Sequence, residues 1–63
     1  MTDDLIRETD AAKIMDVHKM TLAGWRHEGR GPEYIKIGKN IRYRRSAIEK
    51  WLEDRTITPR RAS

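Results

Sequence analysis

The run Gly-Arg-Gly-Pro at residues 29–32 constrains the fold of this chain more than any other feature. Proline lacks the amide hydrogen that a helix interior needs, and glycine favours helix ends, so no helix passes through this run. Apolar residues before it recur at helical spacing, whereas those after it alternate as in β-strands. The chain therefore divides into a helical first half and a second half that begins with β-structure.

The first helix is expected to be short and to start at a threonine. The hydroxyl of Thr9 can accept an amide hydrogen from the start of a helix, which is the role of an N-cap. Asp16 is the predicted turn residue after the helix, because aspartate visits left-handed backbone angles more readily than most residues. Val17 is then expected to point inward. The apolar face of this helix consists of Ala11, Ala12, Ile14 and Met15.

A second helix is expected at about residues 18–28. At 100° per residue, Leu22 and Trp25 lie on one side, where both are expected to be buried. The opposite side is free to face solvent. It carries Met20, Ala23, Gly24 and His27.

Two short alternating stretches follow the break, at residues 34–37 and 41–44. The Gly-Lys-Asn between them suits a tight reversal, so the pair predicts a β-hairpin. Ile41 and Tyr43 are expected to rest on the helices. A third helix is expected to open with a capping box, in which Ser46 caps and Glu49 lies three residues later. Its apolar stripe is Ile48, Trp51 and Leu52.

These elements predict a mainly α fold with a β-hairpin, a winged helix-turn-helix of three short helices plus a two-stranded wing. The domain is expected at residues 9–55, with Trp25 and Trp51 anchoring its core. It follows an extended amino-terminal arm at residues 1–8 and precedes a flexible basic tail at residues 56–63. A protruding second helix of this size fits the DNA major groove, while the wing reaches the backbone or the minor groove.

The charge distribution agrees with a polyanionic partner. Residues 1–16 carry two basic and five acidic groups, whereas residues 17–63 carry twelve basic and five acidic groups. A basic region on one part of a fold is what phosphate binding requires, although a solvated surface has the same composition. The order of the predicted elements therefore decides in favour of nucleic acid.

The composition excludes several other classes of function. The 63 residues include no cysteine, so disulfides, cysteine-zinc sites and thiol catalysis are excluded. A domain this small buries only about 60% of the surface of its unfolded chain, which leaves little room for a cavity around a substrate. His18 and His27 lie on different faces of the second helix, so a metal site is not expected. We expect no enzyme activity and no cofactor.

The location expected from the sequence is the cytoplasm. No apolar run approaches the roughly 18 residues that cross a bilayer. The acidic amino terminus is unlike the basic start of a signal peptide.

Four motifs occur in a fixed order along the chain: Thr-Leu-x-x-Trp from Thr21, Gly-x-Gly-Pro from Gly29, Gly-x-x-x-Arg-Tyr from Gly38 and Ser-x-x-Glu-x-Trp-Leu from Ser46. Together they resemble the excisionase and AlpA-type members of the MerR-like winged-helix proteins, over about residues 5 to 53. Two positions depart from the pattern. Asp16 stands where glycine is usual, and His18 stands where a serine would cap the second helix.

The resemblance implies a DNA architectural factor of a phage or other mobile element, which binds beside integrase sites, bends double-stranded DNA and favours excision. AlpA-like proteins use a similar domain as transcription regulators, and the motifs do not separate the two roles. A protein-binding adaptor or antitoxin is a third alternative, which the basic wing disfavours. The implied partners are double-stranded DNA, an integrase and neighbouring copies of this chain, with no membrane and no small-molecule substrate.

The resemblance also implies the residues that contact DNA. In the second, recognition helix these are His18, Lys19, Met20, Ala23, Gly24, Arg26 and His27, with Arg26 flanking toward phosphate. In the wing they are Lys39, Asn40, Arg42 and Arg44. Few of these side chains donate to base edges, so modest sequence discrimination supplemented by DNA shape is expected. In the tail, Arg60 and Arg61 are candidates for contacts with phosphate or a partner protein, unless they serve solubility alone.

Overall fold

The computed structural model describes residues 4–59 and contains three helices and three strands in that range. Their order is β1 (Leu5–Arg7), α1 (Glu8–Met15), α2 (Lys19–His27), β2 (Tyr34–Ile37), β3 (Asn40–Arg44) and α3 (Arg45–Asp54). The predicted winged helix-turn-helix architecture is confirmed, and a third strand adds to the wing. Among the described residues, no helix has the length and apolarity to span a bilayer.

The hairpin belongs to a three-stranded antiparallel sheet in the order β1-β3-β2. The central strand β3 places Tyr43 opposite Ile6 of β1 and Tyr34 of β2. Local sequence predicts only an extended arm at β1, because a three-residue strand is defined by its distant partner and not by its own alternation. The wing is therefore wider than the two-stranded wing that the sequence predicts.

The hairpin turn consists of Gly38 and Lys39, and β3 begins at Asn40, one residue earlier than predicted. Ile37 and Asn40 close the ladder as direct partners. Gly38 has φ 62°, in the left-handed region that glycine adopts without steric cost. The turn lies at the end of the sheet and leaves Lys39 exposed.

The core lies between the inner face of the sheet and the helices. Leu22 and Ile48 are fully buried, and Tyr43 is 1% exposed. Trp25 and Trp51 pack against this core while half-buried, with ring centroids 5.4 Å apart. Ile14, expected on the apolar face of α1, is instead 41% exposed, and Val17 packs inward as predicted. The buried apolar residues are Ile6, Ala11, Ala12, Met15, Leu22, Tyr43 and Ile48.

The capping predictions at Thr9 and Ser46 are wrong. α1 begins at Glu8 with Arg7 as its N-cap, and α3 begins at Arg45 with Arg44 as its N-cap. Neither N-cap side chain makes a capping hydrogen bond. Both α1 and α3 follow directly on a strand, so the last strand residue, which already has extended backbone angles, becomes the N-cap.

The turn between α1 and α2 follows the sequence prediction. Asp16 adopts φ 57° and ψ 44°, the left-handed conformation expected of a turn aspartate. His18 then caps α2, because its Nδ1 accepts the amide hydrogen of Met20 at 3.1 Å. The imidazole thus supplies the hydrogen-bond acceptor that a serine oxygen supplies elsewhere.

Candidate nucleic-acid interface

The outward side of α2 is separate from the core. Leu22 is fully buried in the core, whereas Met20 is 67% exposed and His27 is exposed. Ala23 and Gly24 are half-buried. This arrangement agrees with the helical wheel drawn from the sequence. His18 and Lys19, at the start of the helix, are also exposed.

Gly24 is not required by the packing of the protein itself. A Cβ built on it meets no atom within 4 Å. Glycine in a helix costs about 1 kcal/mol relative to alanine. No neighbouring atom of the protein accounts for that cost.

The predicted wing residues share one side of the sheet. Asn40, Arg42 and Arg44 alternate with Ile41 and Tyr43 along β3, and the latter two pack toward the helices. Asn40 and Arg44 are exposed. Arg42 is half-buried, and its Nη1 donates to the carbonyl of Ile41 at 2.8 Å.

A network centred on Glu8 joins α1, α2 and the sheet. Arg26 of α2 donates from Nε to Oε2 of Glu8 at 2.8 Å and from Nη2 to Oε1 at 3.3 Å. The Tyr43 hydroxyl donates to the same Oε2 at 3.0 Å. The guanidinium carbon of Arg26 also lies 5.8 Å from the ring centroid of Tyr34 in β2. We call Glu8, Arg26, Tyr34 and Tyr43 the Glu8 network.

The pKa values in the network reflect these contacts. Burial by itself raises the pKa of Glu8, but the hydrogen bonds from Arg26 and Tyr43 outweigh it and leave that pKa below its ordinary value. The hydrogen bond to Glu8 raises the pKa of Arg26. Burial and the hydrogen bond to Glu8 raise the pKa of Tyr43. At neutral pH the network therefore holds a carboxylate, a guanidinium and a neutral phenol.

Residues 6–56 match the family model described as a helix-turn-helix domain, which is the family of excisionase and AlpA-type DNA-binding proteins. The chain belongs to this helix-turn-helix family. It is accordingly a DNA-binding protein, and its ligand is double-stranded DNA. No curated protein matches the chain.

Arg26 of this helix-turn-helix protein has a structural role that its sequence position does not indicate. Its side chain is only 18% exposed and pairs with Glu8, which lies 18 residues away in the chain. Contact between Arg26 and a phosphate would require this pair to open. No local pattern marks Glu8 as a partner, because the contact depends on how α1 packs against α2.

The last candidate residues belong to the tail. Arg60 and Arg61 lie outside the described residues. Residues 56–59 are exposed and have no regular secondary structure. Within residues 4–59, no three histidine or acidic side chains cluster closely enough to hold a metal ion.

Proposed function

We propose that this helix-turn-helix protein is an excisionase-type recombination directionality factor of a phage or other mobile element. It binds and bends double-stranded DNA near integrase sites and thereby promotes excision. The observation that carries the proposal is the exposed side of α2, which is capped by His18 and carries Met20 and His27 away from the core. The family match at residues 6–56 supports assigning DNA binding to the domain predicted at residues 9–55 together with β1.

In the proposed complex, α2 enters the major groove. Met20 and Ala23 contact thymine methyl groups, while Lys19 and His27 supply hydrogen-bond donors. Because Nδ1 of His18 accepts the Met20 amide, the neutral ring carries its hydrogen on Nε2, and that nitrogen donates to a phosphate. Backbone approach at Gly24 brings the helix closer to the groove.

The wing contributes contacts that do not depend on sequence. Lys39 and Asn40 at the hairpin turn reach the backbone or minor groove, and Arg42 and Arg44 continue this basic surface along β3. A lone domain of this size makes few phosphate contacts, so neighbouring copies or an integrase bound beside it would add affinity.

The test of the proposed role is a recombination assay with the cognate integrase. Adding the protein is expected to raise the ratio of excision to integration. Footprinting on the attachment region is expected to show protection beside the integrase sites. An unchanged ratio, with DNA protection intact, would refute the directionality role and leave DNA binding standing.

Transcription control of the AlpA type is the second candidate, because the matched family is that of excisionase and AlpA-type DNA-binding proteins. It requires occupancy of a promoter and a changed transcript level in cells that lack any recombinase. The same footprint on promoter DNA, together with a reporter assay in an integrase-free strain, separates this role from the first.

A further inference from the structure

We propose that the phosphate-binding surface of the wing extends across the outer face of the sheet to Arg7 and holds duplex DNA flanking the site read by α2. Its contact residues are Arg7, Arg42 and Arg44, which we call the arginine face. Arg7 belongs to β1, outside the hairpin, and is absent from the wing contacts predicted from sequence. The inference rests on the proposed docking of α2 and of the hairpin turn onto DNA.

The strand register brings these arginines together. Arg7 and Arg42 are direct partners across β1 and β3, and Arg44 lies two residues further along β3. Directly opposite residues in an antiparallel pair have Cβ atoms about 4.5–5.5 Å apart. Since Ile6 and Tyr43 point into the core, the alternating neighbours Arg7, Arg42 and Arg44 point outward together.

Most side chains around the arginine face are uncharged. They are those of Leu5, Ile35, Ile37 and Asn40, while the carboxylate of Glu33 belongs to a residue that lines the same surface pocket as Arg44. Among residues 4–59, ion pairs with carboxylates involve Arg26, Arg30 and Lys50, but none of the three arginines of this face. Like charges directly opposite each other destabilise a sheet. The facing pair of Arg7 and Arg42 therefore weakens the fold unless an anion lies over it.

Arg7 and Arg44 are also unfavourable choices for their helices. They are the N-caps of α1 and α3, and neither makes a side-chain cap. Arginine has no hydrogen-bond acceptor for the free amides of a first turn, and its charge is repelled by the positive end of the helix. Positions that break local stability rules without a compensating contact are where function is expected.

Duplex DNA is the anion that fits this face best. The face begins beside the turn residue Lys39 and continues along β3 to Arg44, so it extends the proposed wing surface without interruption. Planar guanidinium groups donate two hydrogen bonds to a phosphate. The helices pack on the inner side of the sheet, so the outer side meets phosphates beyond the groove that α2 occupies.

The test measures DNA affinity against salt for Arg7→Ser, Arg42→Gln and Arg44→Ser, on one duplex of about one helical turn and another of about three turns. Fluorescence anisotropy supplies the dissociation constants. Lys50→Ala removes one positive charge from an exposed position on α3 and is the matched control.

On the three-turn duplex, each arginine variant is expected to reduce the slope of log K against log salt by about 0.9. That change makes the loss of affinity roughly eightfold larger at 0.1 M salt than at 1 M salt. On the one-turn duplex Arg7→Ser binds as the wild type does, and Lys50→Ala changes neither slope. Arg7→Ser and Arg44→Ser are also expected to raise Tm, because serine caps a helix.

Three results would overturn the inference. Unchanged slopes in the arginine variants, with binding weakened by Met20→Ala and Lys39→Ala, would remove the arginine face and leave the proposed docking of α2 intact. A lower Tm in both serine variants would show that the arginines stabilise the fold. The face would instead be a protein interface under two conditions. Leu5→Ser and Ile37→Ser would abolish a complex with an integrase, and the arginine variants would leave the slope of log K against log salt unchanged. Failure of the Met20 and Lys39 variants to weaken binding would instead refute the proposed docking itself.

Discussion

Replacing Glu8 with glutamine removes the charge of the Glu8 network while keeping the side-chain length. The glutamine amide has one acceptor oxygen, whereas the carboxylate accepts two hydrogen bonds from Arg26 and one from Tyr43. At least one donor then faces an amide NH2 group and loses its partner. The variant tests how far this partly buried polar contact holds α2 against the sheet.

The expected loss of stability is about 2 kcal/mol. A hydrogen bond to a charged group contributes about 1.5–3 kcal/mol and a neutral one about 0.5–1.5 kcal/mol. We sum the difference between charged and neutral hydrogen bonds over the bonds to Glu8. Because the Arg26 and Glu8 side chains are 18% and 20% exposed, solvent screening reduces this sum to about 2 kcal/mol. The whole chain has a free energy of unfolding of roughly 3–9 kcal/mol. In a domain of this size the change lowers Tm by roughly 8–16 °C.

The loss also depends on pH in a defined direction. The folded-state pKa of Glu8 lies below its ordinary value of 4.5. The stability that the carboxylate contributes is therefore fully present above pH 4.5 and disappears as pH falls through the folded-state pKa. Wild type and Glu8→Gln are expected to differ by the full amount at pH 7 and to converge toward pH 3.

Urea denaturation followed by tryptophan fluorescence measures this difference, because Trp25 and Trp51 lie in contact beside the core. Tyr43→Phe is the matched control, since it removes one donor and keeps the pair between Glu8 and Arg26. This variant is expected to be less stable than the wild type. Its free energy of unfolding is still expected to fall as the pH is lowered, because Glu8 remains paired with Arg26. A difference between wild type and Glu8→Gln that is equal at pH 7 and pH 3 would refute this account of the network.

Three further variants test the start of α2 and the DNA surface. His18→Ala removes the cap on Met20 and is expected to destabilise the fold by about 1 kcal/mol, which thermal melting followed by circular dichroism measures against His18→Ser as the rescuing control. Asp16→Gly is expected to raise stability by up to about 1 kcal/mol, because glycine accepts left-handed angles without strain; a lower Tm would contradict this. The double variant Lys39→Ala with Arg42→Ala is expected to weaken binding to all DNA sequences and reduce the salt dependence, whereas Met20→Ala changes sequence preference in a binding-site selection. If the double variant and Met20→Ala lowered the affinity for specific DNA and for random DNA by the same factors, the division of roles between wing and helix would be refuted.

Local sequence patterns were sufficient to predict those elements whose structure depends on neighbouring residues. Gly38 and the alternation around it predict the hairpin, because a tight turn needs a residue that tolerates a positive φ. The left-handed Asp16 and the exposed side of α2 follow from turn propensity and helical spacing alone. These elements include most of the proposed contacts with the major groove.

Long-range packing decided the features that the sequence did not predict. β1 is a strand only because Ile6 meets Tyr43, which is 37 positions later in the chain. The same pairing ends β1 at Arg7 and so moves the start of α1 ahead of Thr9. The sequence alone predicts that Arg26 is an exposed cation. Its pairing with Glu8 follows only from the packing of α1 against α2.

Leu22 anchors α2 to the core, whereas Gly24 has open space around it. This division of α2 into a buried side and an outward side bears on how the protein acquires new DNA targets. Outward positions of α2 are exchangeable without repacking the interior, so related chains can diverge in DNA preference while retaining one scaffold. A library randomised at Met20, Ala23 and Gly24 would consequently remain largely folded and yield binders of altered specificity.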